Sequence, residues 1–178
     1  MRQSGPFDRL SDVISLARYA ALLEAREVRE IYTASLIGRL PIGITGLSIL
    51  ILVQVSSGSF ARGGAATGCY VAGLAAVAPL LGRLIDRYGP RLILFACAGA
   101  FPAALALLVA AVTQGGPASL TLAAAASAGA CFPPITVCMR TYFKQRFGDD
   151  VLLGTAYSLE SVLIELIFIA GPMLVAFF

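Results

Sequence analysis

Histidine and tryptophan are absent from this 178-residue chain, and charged residues make up only 13% of it. Without histidine, and with no pair of cysteines two residues apart, the familiar zinc and thiol-redox arrangements have no residues to build on. A catalytic nucleophile would also lack its commonest base, so no catalytic residue, metal or cofactor is expected. The four cysteines, Cys69, Cys97, Cys131 and Cys138, all fall inside apolar runs, where a thiol behaves as a small hydrophobe. The first 30 residues mix five arginines with five acidic residues and contain no apolar stretch of the kind that forms a signal peptide. The scarcity of charge is the most informative shortage. A soluble domain carries about 25% charged residues, and half that number cannot cover a globule with a water-compatible surface.

What fills the space is hydrophobic: 58% of residues are apolar, and the mean hydropathy is +0.86. The uncharged runs from Gly64 to Leu81 and from Leu92 to Val112 are long enough to cross a bilayer, since about 20 residues at 1.5 Å each span the hydrocarbon. The expected fold class is an all-α polytopic transmembrane helical bundle. Five spans are expected, at about residues 34–56, 64–82, 92–113, 119–139 and 153–178. Residues 1–30 form a cytoplasmic tail, in which Phe7, Leu10, Ile14, Ala17 and Ala21 recur at helical spacing and suggest an amphipathic helix lying on the membrane. A solvated tail is the alternative.

Within these spans, Pro41 makes the first irregular, and Pro133-Pro134 break the last third of the fourth, because proline removes a helix hydrogen bond that lipid cannot replace. In the second span Gly64, Gly68, Ala72 and Ala76 repeat every four residues. Such a face lets helix backbones approach closely, so it is expected to be where a neighbouring helix packs.

Loop charges set the orientation. The loops 83–91 and 140–150 each carry three basic residues, whereas 56–63 carries one and 113–118 none. Lys and Arg are retained on the cytoplasmic side, which places both charged loops and the N-terminus inside, with a bacterial plasma (inner) membrane as the expected location.

Three ionisable residues lie within spans: Arg39, Glu160 and Glu165. Each costs about 2.5–3.5 kcal/mol at a helix centre on insertion scales, so a partner or a cavity is expected for each. Arg39 and Glu160 lie at similar depths, about 12 and 13 Å from the inner side, which allows an Arg39–Glu160 ion pair. Glu165 sits deeper and about 140° around the helix from Glu160. It is expected to line a polar cavity and could bind a proton or a cationic substrate. Alternatively, both glutamates meet a further helix or a second copy of the chain. Thr45, Ser48 and Gln54 are polar residues of the same first span and carry no assignment.

One stretch has a recognisable form. Gly82-Arg83-Leu84-Ile85-Asp86-Arg87-Tyr88-Gly89-Pro90-Arg91 resembles the signature turn between the second and third helices of the major facilitator superfamily (MFS). Gly82, Leu84, Asp86, Arg87, Gly89 and Arg91 match that pattern; Ile85 and Pro90 depart from it. Ala170-Gly171-Pro172 is similar to a fragment of the fifth-helix motif of drug/proton antiporters, although no arginine lies inside the fourth span.

The resemblance covers roughly residues 31–178 and corresponds to helices 1 to 5 of twelve, part of the N-terminal half. It implies a secondary active transporter that moves a small molecule by alternating access, with proton-coupled efflux as one mode. It also implies a conformational gate formed by Gly82, Asp86, Arg87, Gly89 and Arg91. Such a protein would need a missing C-terminal half or a homo-oligomer partner. The expected partners are then a small-molecule substrate and the lipid bilayer, with no nucleic acid. A different class is also open: a small five-span scaffold or assembly subunit that binds other membrane proteins.

Overall fold

The computed structural model describes residues 24–148 and 151–177, and within them the chain is an all-α bundle. Six helices follow one another: α1 (Arg26–Ser57), α2 (Phe60–Tyr88), α3 (Pro90–Thr113), α4 (Ala118–Ala130), α5 (Ile135–Phe147) and α6 (Val151–Phe177). Together they make five stretches long and apolar enough to cross a membrane, α4 and α5 forming one broken stretch. The helices run past the limits expected from hydropathy at most ends, because a helix need not stop where the hydrocarbon does. Arg26 to Glu30, expected in the tail, form the first turn and more of α1. The proposed stripe at Phe7, Leu10, Ile14, Ala17 and Ala21 lies outside the described residues.

Local chemistry explains the ends. Gly58 closes α1 in the left-handed conformation (φ 67°), its N–H donating to the Gln54 carbonyl. The Ser59 hydroxyl then accepts from the Arg62 N–H and caps α2. The 82–91 stretch is not the loop that its charges suggested: residues 82–88 are helical, and Gly89 (φ 84°) alone makes the reversal. Pro90 opens α3 at the position where its missing N–H costs nothing.

The fourth stretch breaks as Pro133-Pro134 require. Helix α4 ends at Ala130, residues 131–134 are not helical, and α5 resumes at Ile135. The Cys131 and Phe132 N–H groups donate to the Ser127 and Gly129 carbonyls, which closes α4 within the chain itself.

Helix α2 packs most extensively on α4, α1 on α2 and α6, and α3 on α4. These crossings are backbone against backbone. A Cβ added at Gly63 would lie 2.6 Å from the Leu50 carbonyl oxygen, and one at Gly43 would lie 2.5 Å from that of Ile167. Gly171 presses in turn on the backbone of Gly43, while Gly73 meets Ala126 and Gly129 meets Tyr70. The small-residue face expected to pack, Gly64, Gly68, Ala72 and Ala76, is instead exposed, with nothing within 4 Å of a Cβ at Gly64 or Gly68. The register one residue away, through Gly63, Ala66, Tyr70 and Gly73, is the one that faces the bundle. Two small-residue faces were available on α2, and composition alone does not separate them.

The main core lies in the half of the bundle away from Gly89. It joins Ile49, Val53, Tyr70, Leu108 and Ala125 around an edge-to-face contact of Phe101 with Phe132, centroids 5.2 Å apart. A second cluster at the other end stacks Tyr32 on Phe143 at 5.0 Å, with Val28, Met139 and Ala156. Much of the outer surface is apolar, including Ile37, Val55, Phe95, Ile169 and Met173, each more than 60% exposed. Hydrocarbon is the solvent that such a surface needs. Cys97 is buried, the other three cysteines are half-buried, and all four are unbridged.

Alanine at Gly43 or Gly171 should lower stability by about 1–3 kcal/mol, the usual cost of overpacking. Alanine at Gly64 or Gly68 should leave it unchanged or slightly raise it, since alanine is the better helix former. Melting temperatures of the four purified variants in one detergent check both statements.

Candidate functional site

Two of the three in-span charges meet. Arg39 on α1 and Glu160 on α6 are each 1% exposed, and the Arg39 Nη2 donates to Glu160 Oε1 at 2.5 Å. Charge-assisted bonds of this kind are short and strong. Burying the two ions has a desolvation cost that the pairing must offset, and the surroundings leave that offset incomplete. Arg39 Nε and Glu160 Oε2 have no hydrogen-bond partner among the described residues. A third charge stands nearby: Arg140 Nε on α5 lies 3.7 Å from Glu160 Oε2, within ion-pair range but beyond a hydrogen bond. The Arg140 side chain is 62% exposed, so Glu160 sits between one buried and one accessible arginine.

The helices hold the pair by contacts on both sides. The Tyr32 hydroxyl donates to the Ala156 carbonyl at 3.0 Å and ties α1 to α6 below the pair. One turn beyond Arg39, Gly43 lies on Ile167 and Gly171 and ties the same two helices above it. Helix α5 is set against α1 where Ile135 Cδ1 approaches Gly38, 2.7 Å from the place of a Cβ. Tyr157 of α6 donates to the Arg140 carbonyl at 3.4 Å. The site is thus the junction of α1, α5 and α6, immediately after the break between α4 and α5.

The other expected site residues lie elsewhere. Glu165 is exposed on the outer face of α6 among Val162, Leu166 and Ile169. It does not join the pair, as the 140° offset from Glu160 requires. Asp86, Arg87 and Arg91 are exposed around the reversal, Gly82 and Gly89 are half-buried, and no described residue pairs with Asp86. The Arg87 guanidinium lies over the adjacent Tyr88 ring at 5.4 Å. The residues expected to form the gate therefore lie together around the reversal, and no ion pair joins them to another element among the described residues. Thr45 is buried, and Ser48 and Gln54 are half-buried on α1.

Tyr32 and Arg140 were not picked out from the sequence. Tyr32 precedes Arg39 by seven residues, two helical turns, and so shares its face. Arg140 looked like an ordinary loop cation, because only the break before α5 brings it back toward Glu160. Among the described residues no group of three or more metal-ligating side chains forms.

Known protein families, curated proteins and solved structures contain no match to this chain. The class that its fold defines is an all-α, multi-pass integral membrane protein.

Removing one partner of the buried pair should cost about 3–5 kcal/mol, because the other ion is left uncompensated. Arg39→Met and Glu160→Met should each unfold far more readily than the parent, whereas the Arg39→Met/Glu160→Met double variant should recover most of the loss. A double-mutant cycle on unfolding in mixed micelles measures the coupling.

Proposed function

We propose that the chain is the N-terminal portion of an MFS-like secondary transporter, which moves a small molecule by alternating access. The observation that carries this reading is the buried Arg39–Glu160 pair, with an unsatisfied atom on each partner and a second arginine within reach of Glu160. An ionisable cluster inside a membrane bundle marks a substrate or ion path more often than a structural strut. Here its geometry offers two states. Glu160 bonds Arg39 in one, and in the other it turns to Arg140 and frees the Arg39 guanidinium for a ligand. The break at residues 131–134 lets α5 move relative to α4, since discontinuous helices are a recurrent device of transporters.

Two further observations support the reading. The end of the bundle around Gly89 carries Arg83, Arg87, Arg91, Arg140, Lys144 and Arg146, whereas the opposite end carries only Arg62 among the described residues. By the positive-inside rule the first end is cytoplasmic, which puts the gate residues Gly82, Asp86, Arg87, Gly89 and Arg91 where the family has them. Glu165, exposed in an apolar surface, would cost about 2.5–3.5 kcal/mol facing lipid. A second half or a second copy of the chain, with a water-filled path between, is the better neighbour for that face. Proton-coupled efflux would use Glu165 there.

One observation favours a scaffold instead. The outward Gly64, Gly68, Ala72 and Ala76 face is small enough for a foreign helix to approach α2 closely.

Cysteine labelling in reconstituted membranes separates the readings. Leu166→Cys, beside Glu165 on the face proposed to border a water-filled path, should react with a water-soluble maleimide, and a transported compound should slow the reaction. Glu160→Gln and Glu165→Gln should each abolish uptake driven by an imposed pH gradient. Absent labelling at Leu166→Cys, or full transport by inserted glutamine variants, would refute the transporter. Protection that appears only with a partner membrane protein would establish the scaffold.

A further inference from the structure

A second polar feature lies at the opposite end of the bundle, remote from the buried pair. A cavity of about 230 Å³ opens where α1 and α3 end and α2 and α4 begin, lined by Ser56, Ser57, Arg62, Ala118 and Thr121. Arg62 is exposed and has no ion-pair partner among the described residues. No acidic residue occurs in the loops 56–63 and 113–118, so its charge stands uncompensated.

The charge of Arg62 sets the polarity of the cavity, and the hydrogen bonds around it show which groups are already taken. Several acceptors at the helix ends are already used. The Ser56 and Ser57 hydroxyls donate back to the Leu52 and Val53 carbonyls, and Gly58 takes that of Gln54. Thr113, Gln114, Gly115 and Gly116 take the carbonyls from Val109 to Val112. Donors are left over. Helix α4 starts after Pro117 with no side-chain cap, and its first backbone bonds come from Leu120 and Thr121. The Ala118 and Ser119 N–H groups therefore point out of a helix N-terminus with nothing to bond. Thr121 is an independent sign. It is 8% exposed, it lines the cavity, and its hydroxyl makes no hydrogen bond among the described residues.

We propose that this cavity binds a phosphate-class oxyanion, either free or as the headgroup of an anionic lipid. The guanidinium of Arg62 supplies charge and a two-pronged donor. The Thr121 hydroxyl and the start of α4 supply the remaining donors, as helix N-termini do for phosphates. Drug-sized sites span about 300–1,000 Å³, so this smaller volume suits a single anionic group. The ligand would fasten α4 to α2, the most extensively packed pair of helices in the bundle.

The test uses the purified full chain and its melting temperature. One arm adds inorganic phosphate in a neutral detergent, against chloride at the same ionic strength. The other compares nanodiscs of phosphatidylcholine with and without phosphatidylglycerol. Stabilisation by phosphate identifies a free oxyanion, and stabilisation by phosphatidylglycerol alone identifies the headgroup. In either case Arg62→Gln should weaken the half-saturating concentration about tenfold or more. Thr121→Val should weaken it less, and Arg62→Lys should keep part of the effect. Should Arg62→Gln fail to fold, Arg62→Lys and Thr121→Val carry the comparison. No stabilisation in either arm, or stabilisation that these variants leave untouched, overturns the proposal. The second outcome would trace the effect to the basic cluster at the other end.

Discussion

Helices in a bilayer gain little by hiding apolar surface from one another, because the lipid is as apolar as they are. What remains is close packing of backbones, and this bundle achieves it at a few glycines. Gly63 on Leu50, Gly43 on Ile167 and Gly171, Gly73 on Ala126 and Gly129 on Tyr70 are contacts with no space for a Cβ. They set how near α1, α2, α4 and α6 come to each other, and every polar contact between those helices depends on that nearness. The cores around Phe101 and Tyr32 fill the volume that the crossings leave.

The buried ion pair is an example of this dependence. A guanidinium and a carboxylate from two helices can meet inside a membrane only if the helices are held at the correct separation and rotation. Tyr32 on Ala156 fixes α1 and α6 on one side, and Gly43 on Gly171 fixes them on the other. Between these two clamps Arg39 and Glu160 have a short bond but incomplete satisfaction, with one nitrogen and one oxygen left over. A structural pair under no other demand would be expected to have both satisfied. The leftover carboxylate oxygen is the one that faces Arg140, whose Nε lies 3.7 Å away.

The two ends of the bundle differ in a related way. At the basic end a single glycine turns the chain, and Asp86 has no ion-pair partner among the described residues. At the opposite end the helix caps take several of the carbonyls, and Arg62 has no ion-pair partner among the described residues. Both ends thus carry exposed cationic side chains, spread over a surface at one and beside a small cavity at the other.

The sequence alone determined the class, the number of crossings, the charge asymmetry between loops, and the depth match of Arg39 with Glu160. These are one-dimensional properties, set by run length, by composition and by a rise of 1.5 Å per residue. The break at Pro133-Pro134 was legible for the same reason, since proline's missing donor acts locally. The face on which α2 packs was not legible, because Gly64/Gly68 and Gly63/Ala66 offer nearly the same small-residue stripe one residue apart. Nor was the arrival of Arg140 beside Glu160, or the gathering of Arg62 and Thr121 in one cavity, since these residues come from helices whose relative rotation no local pattern encodes. Only the tertiary structure decided those points, through contacts that exist once several helices have settled against each other. Glu165 shows the boundary between the two: helical geometry already turned it away from Glu160, but only the packed bundle determined that it faces outward.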